Sequence, residues 1–264
     1  MPIDPATHVG AVHLTVADLP RSLAYYTESI GLELLGIRAG EASLGAGGRE
    51  LVHLVEEPGV RPADGYTGLF HFALLVPERR DLAGWLQHAI RETVQLTGAS
   101  DHFVSEALYL RDPDHHGIEI YADRPRRLWE GQVDKLGTWP LDIDDLLATN
   151  TEPSAGLPAY TQMGHVHLRV ADVDESIRFY RDVVGFDLMA QLGDQAAFMS
   201  AGGYHHHLGA NTWESRGAEP APEGTARLRG FTIIVPGDEE RDRITQAVGG
   251  ELRDPSGNAF TILT

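Results

Sequence analysis

The chain of 264 residues has no cysteine. That excludes disulfides and thiolate metal sites and fits a reducing cytoplasm. No apolar run approaches the roughly 18 to 20 residues needed to span a bilayer as a helix. The opening residues, Met1-Pro2-Ile3-Asp4-Pro5, supply neither the basic nor the apolar part of a secretion signal. A cytoplasmic protein is therefore expected, with no membrane partner. Positive charge is also scarce. The 21 Lys and Arg against 39 Asp and Glu leave a formal charge of −18, which argues against a nucleic-acid backbone or an anionic membrane surface as partner. What is present describes a globular chain: 42% hydrophobic and 23% charged residues over a length sufficient for about two domains. Thirteen histidines stand out, because neutral imidazole is the commonest metal ligand.

The phrase Gly164-His165-Val166-His167-Leu168-Arg169-Val170-Ala171-Asp172 alternates, placing His165, His167 and Arg169 on one face of a strand. Asp172 then caps a helix predicted over Val173–Val184 and ended by Gly185. The same phrase occurs 154 residues earlier, Gly10 to Asp18, with Ala11 in place of His165. The repeat continues without a gap through Leu32 and Phe186, and each copy leads into short strands. In the second copy these are Asp187–Leu192, Ala196–Ser200 and His205–Gly209. A fainter βαβββ pattern follows each copy, and the turns Arg111-Asp-Pro-Asp114 and Arg253-Asp-Pro-Ser256 match each other. Four units result, roughly 8–57, 67–122, 163–212 and 227–264. They divide the chain into domains 1–122 and 163–264 around a proline-containing linker, 123–162, with a short helix near Asp142–Ala148.

Several phrases carry a resemblance. They are Leu69-Phe-His-Phe-Ala-Leu-Leu, Ser105-Glu-Ala-Leu-Tyr-Leu, Gly117-Ile-Glu-Ile-Tyr121, Gly164-His-Val-His-Leu and Gly202-Gly-Tyr-His-His-His-Leu-Gly209. With the four units, they resemble the vicinal oxygen chelate superfamily of glyoxalases, bleomycin-resistance proteins and extradiol dioxygenases. The likeness is greatest to two-domain bacterial proteins of the catechol 2,3-dioxygenase type. It implies an α+β fold, with four βαβββ units paired into two open β-barrel cups. It also implies a divalent metal held by two first-strand histidines and one last-strand glutamate, a set that leaves positions open for substrate.

In that family the first-strand ligand stands seven residues before the residue opening the helix. The corresponding positions are Ala11, His71, His165 and Phe231; the last-strand positions are Glu50, Glu119, His205 and Thr261. Only units two and three hold a full set, so the resemblance implies metal ligands His71, Glu119 and His165, shared between the two halves. A competing set uses His13 with His71 and Glu119. Tyr109 precedes Glu119 by ten residues, as a substrate-side Tyr does in extradiol enzymes. In Tyr204-His205-His206-His207, strand alternation puts His205 and His207 on one face, and the repeat favours His205 as acid/base, with His207 selected by a shift of two. His102 is placed at the cup rim. His13 and His167 recur in both halves and are read as structural, and His115 and His116 as surface residues of a turn.

The leading expectation is an extradiol dioxygenase that acts on a small aromatic diol with dioxygen. Fe(II) is the first choice of metal, with Mn(II), Zn(II) or Ni(II) as alternatives. If His205 were a fourth ligand, a glyoxalase-type lyase or isomerase would fit. A third reading is a non-catalytic resistance protein whose cup binds an aromatic compound against Trp129, Trp139 or Trp213. Oligomeric state is left open, a homo-oligomer included.

Overall fold

The repeated strand-to-helix phrase folds alike in both halves of the computed structural model, which describes residues 1–154 and 156–264. The carboxylates of Asp18 and Asp172 cap their helices by accepting from the backbone N–H groups of Arg21 (2.9 Å) and Glu175 (2.8 Å). Each helix starts as an α-helix, Leu19–Ala24 (α1) in unit one, and then widens into a π-helical segment, Tyr25–Ile30. The second copy does the same with Val173–Ile177 and Arg178–Val184. Both end at a left-handed glycine, Gly31 (φ 85°) and Gly185 (φ 111°). The widened turns bury Tyr26 and Tyr180, whose hydroxyls donate to Asp112 (2.9 Å) and Asp254 (3.1 Å) in the matching Arg-Asp-Pro turns. Burial raises both of these carboxyl groups above the usual carboxylate range.

Unit one supplies strands β1 (His8–Val16), β2 (Glu33–Arg38), β3 (Glu41–Ala46) and β4 (Arg49–Glu56), followed by a two-residue β5 (Arg61–Pro62). Unit two supplies β6 (Gly68–Leu75), helix α2 (Arg79–Arg91), β7 (Gly98–Asp101), β8 (Ser105–Arg111) and β9 (Gly117–Asp123). The linker adds β10 (Trp139–Pro140) and α3 (Ile143–Leu147). Unit three gives β11 (Gln162–Arg169), α4 (Val173–Ile177), β12 (Asp187–Leu192), β13 (Ala196–Ser200) and β14 (Leu208–Asn211). After β15 (Thr225–Ala226), unit four gives β16 (Leu228–Ile234), α5 (Asp238–Val248) and β17 (Phe260–Leu263).

Hydrogen bonding joins the units across the halves. One sheet runs β17-β16-β1-β4-β3-β2 and contains units one and four. The other runs β10-β7-β8-β9-β6-β11-β14-β13-β12 and contains units two and three. At the middle of the larger sheet β6 and β11 run antiparallel, with His167 opposite His71 and His165 opposite Ala73. Phe72, Leu74, Val166 and Leu168 point into a core continuous through both sheets. Their alternate neighbours are left on the inner face of the cup.

Two strand expectations shift, and a third strand carries no sequence signal. The strand expected from His205 begins at Leu208, because Gly202 and Gly203 take positive φ (61° and 67°) and carry Tyr204–His207 round in a loop. The sequence from Phe103 to Leu110 predicts a strand, but the strand begins at Ser105, since Phe103 itself sits at φ 70°. The strand β7, paired between β10 and β8, is built of Gly-Ala-Ser-Asp, which lacks the apolar alternation that marks strands in a sequence.

Candidate metal centre

Three ligand-type side chains meet above Ala73. Glu119 on β9 lies beside Ala73 on one side and His165 on β11 on the other. A methyl side chain between them leaves the space open, and His71 enters from two residues earlier on β6. The Glu119 Oε2 atom lies 3.0 Å from His71 Nε2 and 3.1 Å from His165 Nε2, and the two Nε2 atoms are 3.3 Å apart. All three residues are buried, at 6%, 2% and 2% exposure for His71, Glu119 and His165. Among the described residues this is the one group of three or more such side chains close enough to share an ion.

The donor set fits a divalent metal. Donors about 2.1 Å from an ion and at right angles to one another lie about 3 Å apart, as these do. Burial lowers the His165 imidazole to about 4, against the opposing pull of Glu119, so its ring is neutral with a lone pair to give. Burial works the other way on Glu119, but the facing His165 and His71 outweigh it and hold the carboxyl well below its usual range. A neutral imidazole and an ionised carboxylate are the forms that ligate.

A cavity of about 400 Å³ opens over this cluster. Tyr109 and His102 both line it, and the Tyr109 hydroxyl lies 2.6 Å from His102 Nε2. His102 Nδ1 donates to the Gly137 carbonyl at 2.7 Å, which leaves Nε2 to accept the Tyr109 proton. Burial, reinforced by nearby Glu119, keeps the Tyr109 phenol protonated well above its ordinary range. Phe70, Phe198 and Trp213 give the cavity an aromatic wall. Of the other two tryptophans named above, Trp129 is buried against His205 and Trp139 is half exposed on the linker.

The histidine run is turned by one residue from the expected placement. Val12 pairs with Val52 and Val166 with Leu208, so the counterpart of Glu50 is His206 rather than His205. His206 lines the cavity, its ring 4.1 Å from that of His165. His205 is wholly buried behind it, with Nε2 2.9 Å from Asp123 Oδ1 and Nδ1 2.8 Å from His206 Nδ1. His207 turns away to Ser200, its Nδ1 3.1 Å from the hydroxyl. Irregular backbone before β14 defeats the face assignment that strand alternation predicts.

Against the expectation of a structural residue, His167 lines the cavity beside His71, and among the described residues its buried Nε2 has no hydrogen-bond partner. Burial first, then His71 and His165, lowers its imidazole well below the usual value. Gly209, opposite it on β14, makes room: a Cβ there would stand 2.7 Å from the His167 ring. The alternation that paired His165 with His167 was the available signal, and the presence of His13 in the other copy concealed it. His13 lies in the other cup, beside His53, and has no part in the His71–Glu119 cluster. In unit four, Gly230 rather than Phe231 occupies the ligand position. Gly230 pairs with His13 as His71 pairs with His167, while Phe231 is buried in the core. His116 is also not a surface residue, since its buried Nε2 donates to the Thr15 carbonyl at 2.9 Å.

The chain belongs to the Glyoxalase/Bleomycin resistance protein/Dioxygenase superfamily, whose model matches residues 7–120 and 162–248. Within it, the chain is 41% identical over 268 aligned positions to the catechol-2,3-dioxygenase of Bacillus subtilis (strain 168), covering 97% of this chain and 93% of that protein. That makes it a catechol 2,3-dioxygenase-like oxidoreductase. The fold likeness reaches further: glyoxalase I from Zea mays superposes with a TM-score of 0.59 at 18% identity, over 97% of this chain and 91% of that one. The CppA protein of Streptococcus pneumoniae gives 0.57 at 13% identity, over 97% and 99%. Among the described residues no helix is long and apolar enough to cross a membrane.

Proposed function

We propose that the protein cleaves the ring of a catechol-type diol with dioxygen, at a metal held by His71, Glu119 and His165. The observation that carries this reading is the number of ligands. Three side chains converge, and among the described residues no fourth joins them. A two-histidine, one-carboxylate set on one side leaves room for both diol oxygens and dioxygen, which is the arrangement of Fe(II) oxygenases. Mn(II) could occupy the same donors, whereas Zn(II) or Ni(II) with four protein ligands would suit the glyoxalase reaction. The metal, when bound, supplies Lewis acidity and the electronic link between diol and dioxygen.

The chain's own residues do the remainder. The aromatic wall of Phe70, Phe198 and Trp213 receives a flat ring in a cavity of about 400 Å³. His206 faces that cavity and serves as the proton carrier, taking one from a diol hydroxyl and returning it later. Tyr109, held by His102, directs its phenol oxygen toward the same space. One carbon–carbon bond beside the diol breaks and both dioxygen atoms remain in the product, so no external reductant is consumed. The test is protein loaded with Fe(II) under reducing conditions and offered a panel of catechols in air. A yellow ring-opened product with matching oxygen uptake is the expected result; iron-replete protein with no turnover across the panel would overturn the proposal.

A further inference from the structure

We propose that Asp123, His205 and His206 form a hydrogen-bonded line that fixes the tautomer of His206, leaving its Nε2 lone pair directed to the cavity. This rests on the reading of His206 as the proton carrier and extends it to two residues that touch neither metal nor substrate. Asp123 closes β9, four residues beyond Glu119, and so comes from the same strand as a proposed metal ligand. His205 and His206 come from the loop ahead of β14 in the other half of the chain.

The argument is one of donors and acceptors. Asp123 Oδ1 is 2.9 Å from His205 Nε2, and an ionised carboxylate only accepts, so the hydrogen is on Nε2. A neutral imidazole with Nε2–H has a bare Nδ1. That Nδ1 is 2.8 Å from His206 Nδ1, and two facing ring nitrogens bond only if one donates. His206 therefore donates through Nδ1–H, and its own Nε2 carries no hydrogen. That atom makes no hydrogen bond among the described residues and is left to the cavity that the ring lines. In this form His206 is ready to accept a proton; with the opposite tautomer it would offer one instead.

The surroundings hold the line rigid. The Tyr204 ring packs against His205 at 3.9 Å between centroids, and Trp129 closes its edge at 5.6 Å. Trp129 is itself fixed by donating from Nε1 to the Arg124 carbonyl at 2.8 Å. His205 has no solvent exposure, so water does not compete for either of its nitrogens. Asp123 and His205 are positioning residues, acting through His206.

The test reads the tautomer directly. Protein labelled with ¹⁵N at histidine, both metal-free and loaded with diamagnetic Zn(II), is examined by long-range ¹H–¹⁵N correlation, with His206 assigned by loss of its signals in His206→Gln. The expected wild-type spectrum has a protonated Nδ1 and a bare Nε2 at His206. His205→Phe removes the acceptor and should move the hydrogen to Nε2. His205→Gln, whose side-chain carbonyl can accept from Nδ1–H, should restore it. In the iron-loaded enzyme, kcat should fall about 10²-fold in His205→Phe with KM little changed, and recover in His205→Gln. Nε2–H at His206 in the wild type, as a doubly protonated His205 would impose, overturns the proposal; so does a tautomer unchanged in His205→Phe. Because the spectrum needs no turnover, an inactive protein with the expected tautomer would sink the dioxygenase reading and leave the hydrogen-bonded line standing.

Discussion

Two cups are built from the same βαβββ unit, yet they differ in what they turn inward. The cup of units two and three presents His71, Glu119 and His165 around Ala73. At the matching places the cup of units one and four presents Gly230, Thr261 and Ala11. Where His167 stands over Gly209, its counterpart His13 faces His53, so two rings share the space that one ring occupies in the other cup. The second cup is not filled in: it retains a cavity of about 510 Å³. Shape alone therefore does not set the two apart. Three side chains do, and one duplicated fold can hold a site in one pairing and none in the other.

Removing any one of the three should have the largest effect. His71→Ala, Glu119→Ala and His165→Ala are each expected to reduce bound metal from about one ion per chain to background, measured by elemental analysis after gel filtration. Glu50→Ala and Thr261→Ala, in the other cup, should retain wild-type metal content. Full occupancy in His165→Ala would break the comparison, because it would place the site within the first half alone.

Acid should come next, and it separates the cups without mutation. Burial lowers His165 to about 4 and His207 to about 3, and lowers His167 and His206 well below 6.5. Such groups stay neutral in the folded chain while the unfolded chain binds protons below about 6.5. More protons on the unfolded side mean that stability is lost as pH falls from about 6.5 toward 4. Metal-free protein should thus show a steep drop in Tm over that window, and metal should oppose it above the lower end. His13, in the other cup, is lowered by burial as well, so His13→Ala should reduce the slope, but by less than the four histidines named above contribute together, which differential scanning calorimetry at several pH values would measure.

A smaller effect tests the room made for His167. A Cβ at position 209 would sit 2.7 Å from that ring, so Gly209→Ala forces the imidazole to move. Overpacking of this kind costs about 1–3 kcal/mol, and it should disturb the cavity wall along with stability. The reciprocal change in the other cup, His53→Gly, relieves crowding and should leave metal content untouched. Urea unfolding with metal analysis reads both.

The fold was legible because its signals are local and occur twice. Asp18 and Asp172 each precede a helix of apolar spacing, Gly31 and Gly185 each end one, and the twin Arg-Asp-Pro turns mark the last hairpins. The His71–Glu119–His165 cluster was legible for a different reason: at the strand positions that the family resemblance assigns to ligands, neither half contains a full set, which favours a site crossing between them over the competing set with His13 in the first half. The residues around it were harder to place. A strand's faces follow from its period only while the strand is regular, and Gly202 and Gly203 interrupt it just before His205. The one-residue offset that brings His206 to the cavity follows from the paired registers Val12–Val52 and Val166–Leu208, which a linear alignment does not contain. His167 is not singled out by the sequence because its copy, His13, shares its sequence context; what differs is the residue across the sheet, Gly209 or His53.

If the two cups differ only on their inner faces, the anchors that tie each helix to its neighbouring unit should be worth similar amounts, and their small difference should follow their hydrogen bonds. Tyr26 donates to Asp112, which among the described residues otherwise accepts from the backbone N–H groups of Asp114 (2.9 Å) and His116 (2.8 Å). Tyr180 donates to Asp254, which also accepts from the backbone of Ser256 and Asn258 and from the Asn258 side chain, all at 2.9 Å. Tyr26→Phe leaves Asp112 two donors, while Tyr180→Phe leaves Asp254 three. The cost at Tyr26 should accordingly be about 1–2 kcal/mol, and at Tyr180 about half that. Both costs should shrink in acid, because the lost donor supports the ionised carboxylate and burial has already raised the pH at which each carboxyl takes up its proton. Urea unfolding of both variants at neutral and mildly acid pH measures this, with metal content expected to stay at the wild-type level in each. A Tyr180→Phe cost larger than that of Tyr26→Phe would mean that the unit-three helix bears a load its twin does not, and the difference between the cups would then extend beyond their linings.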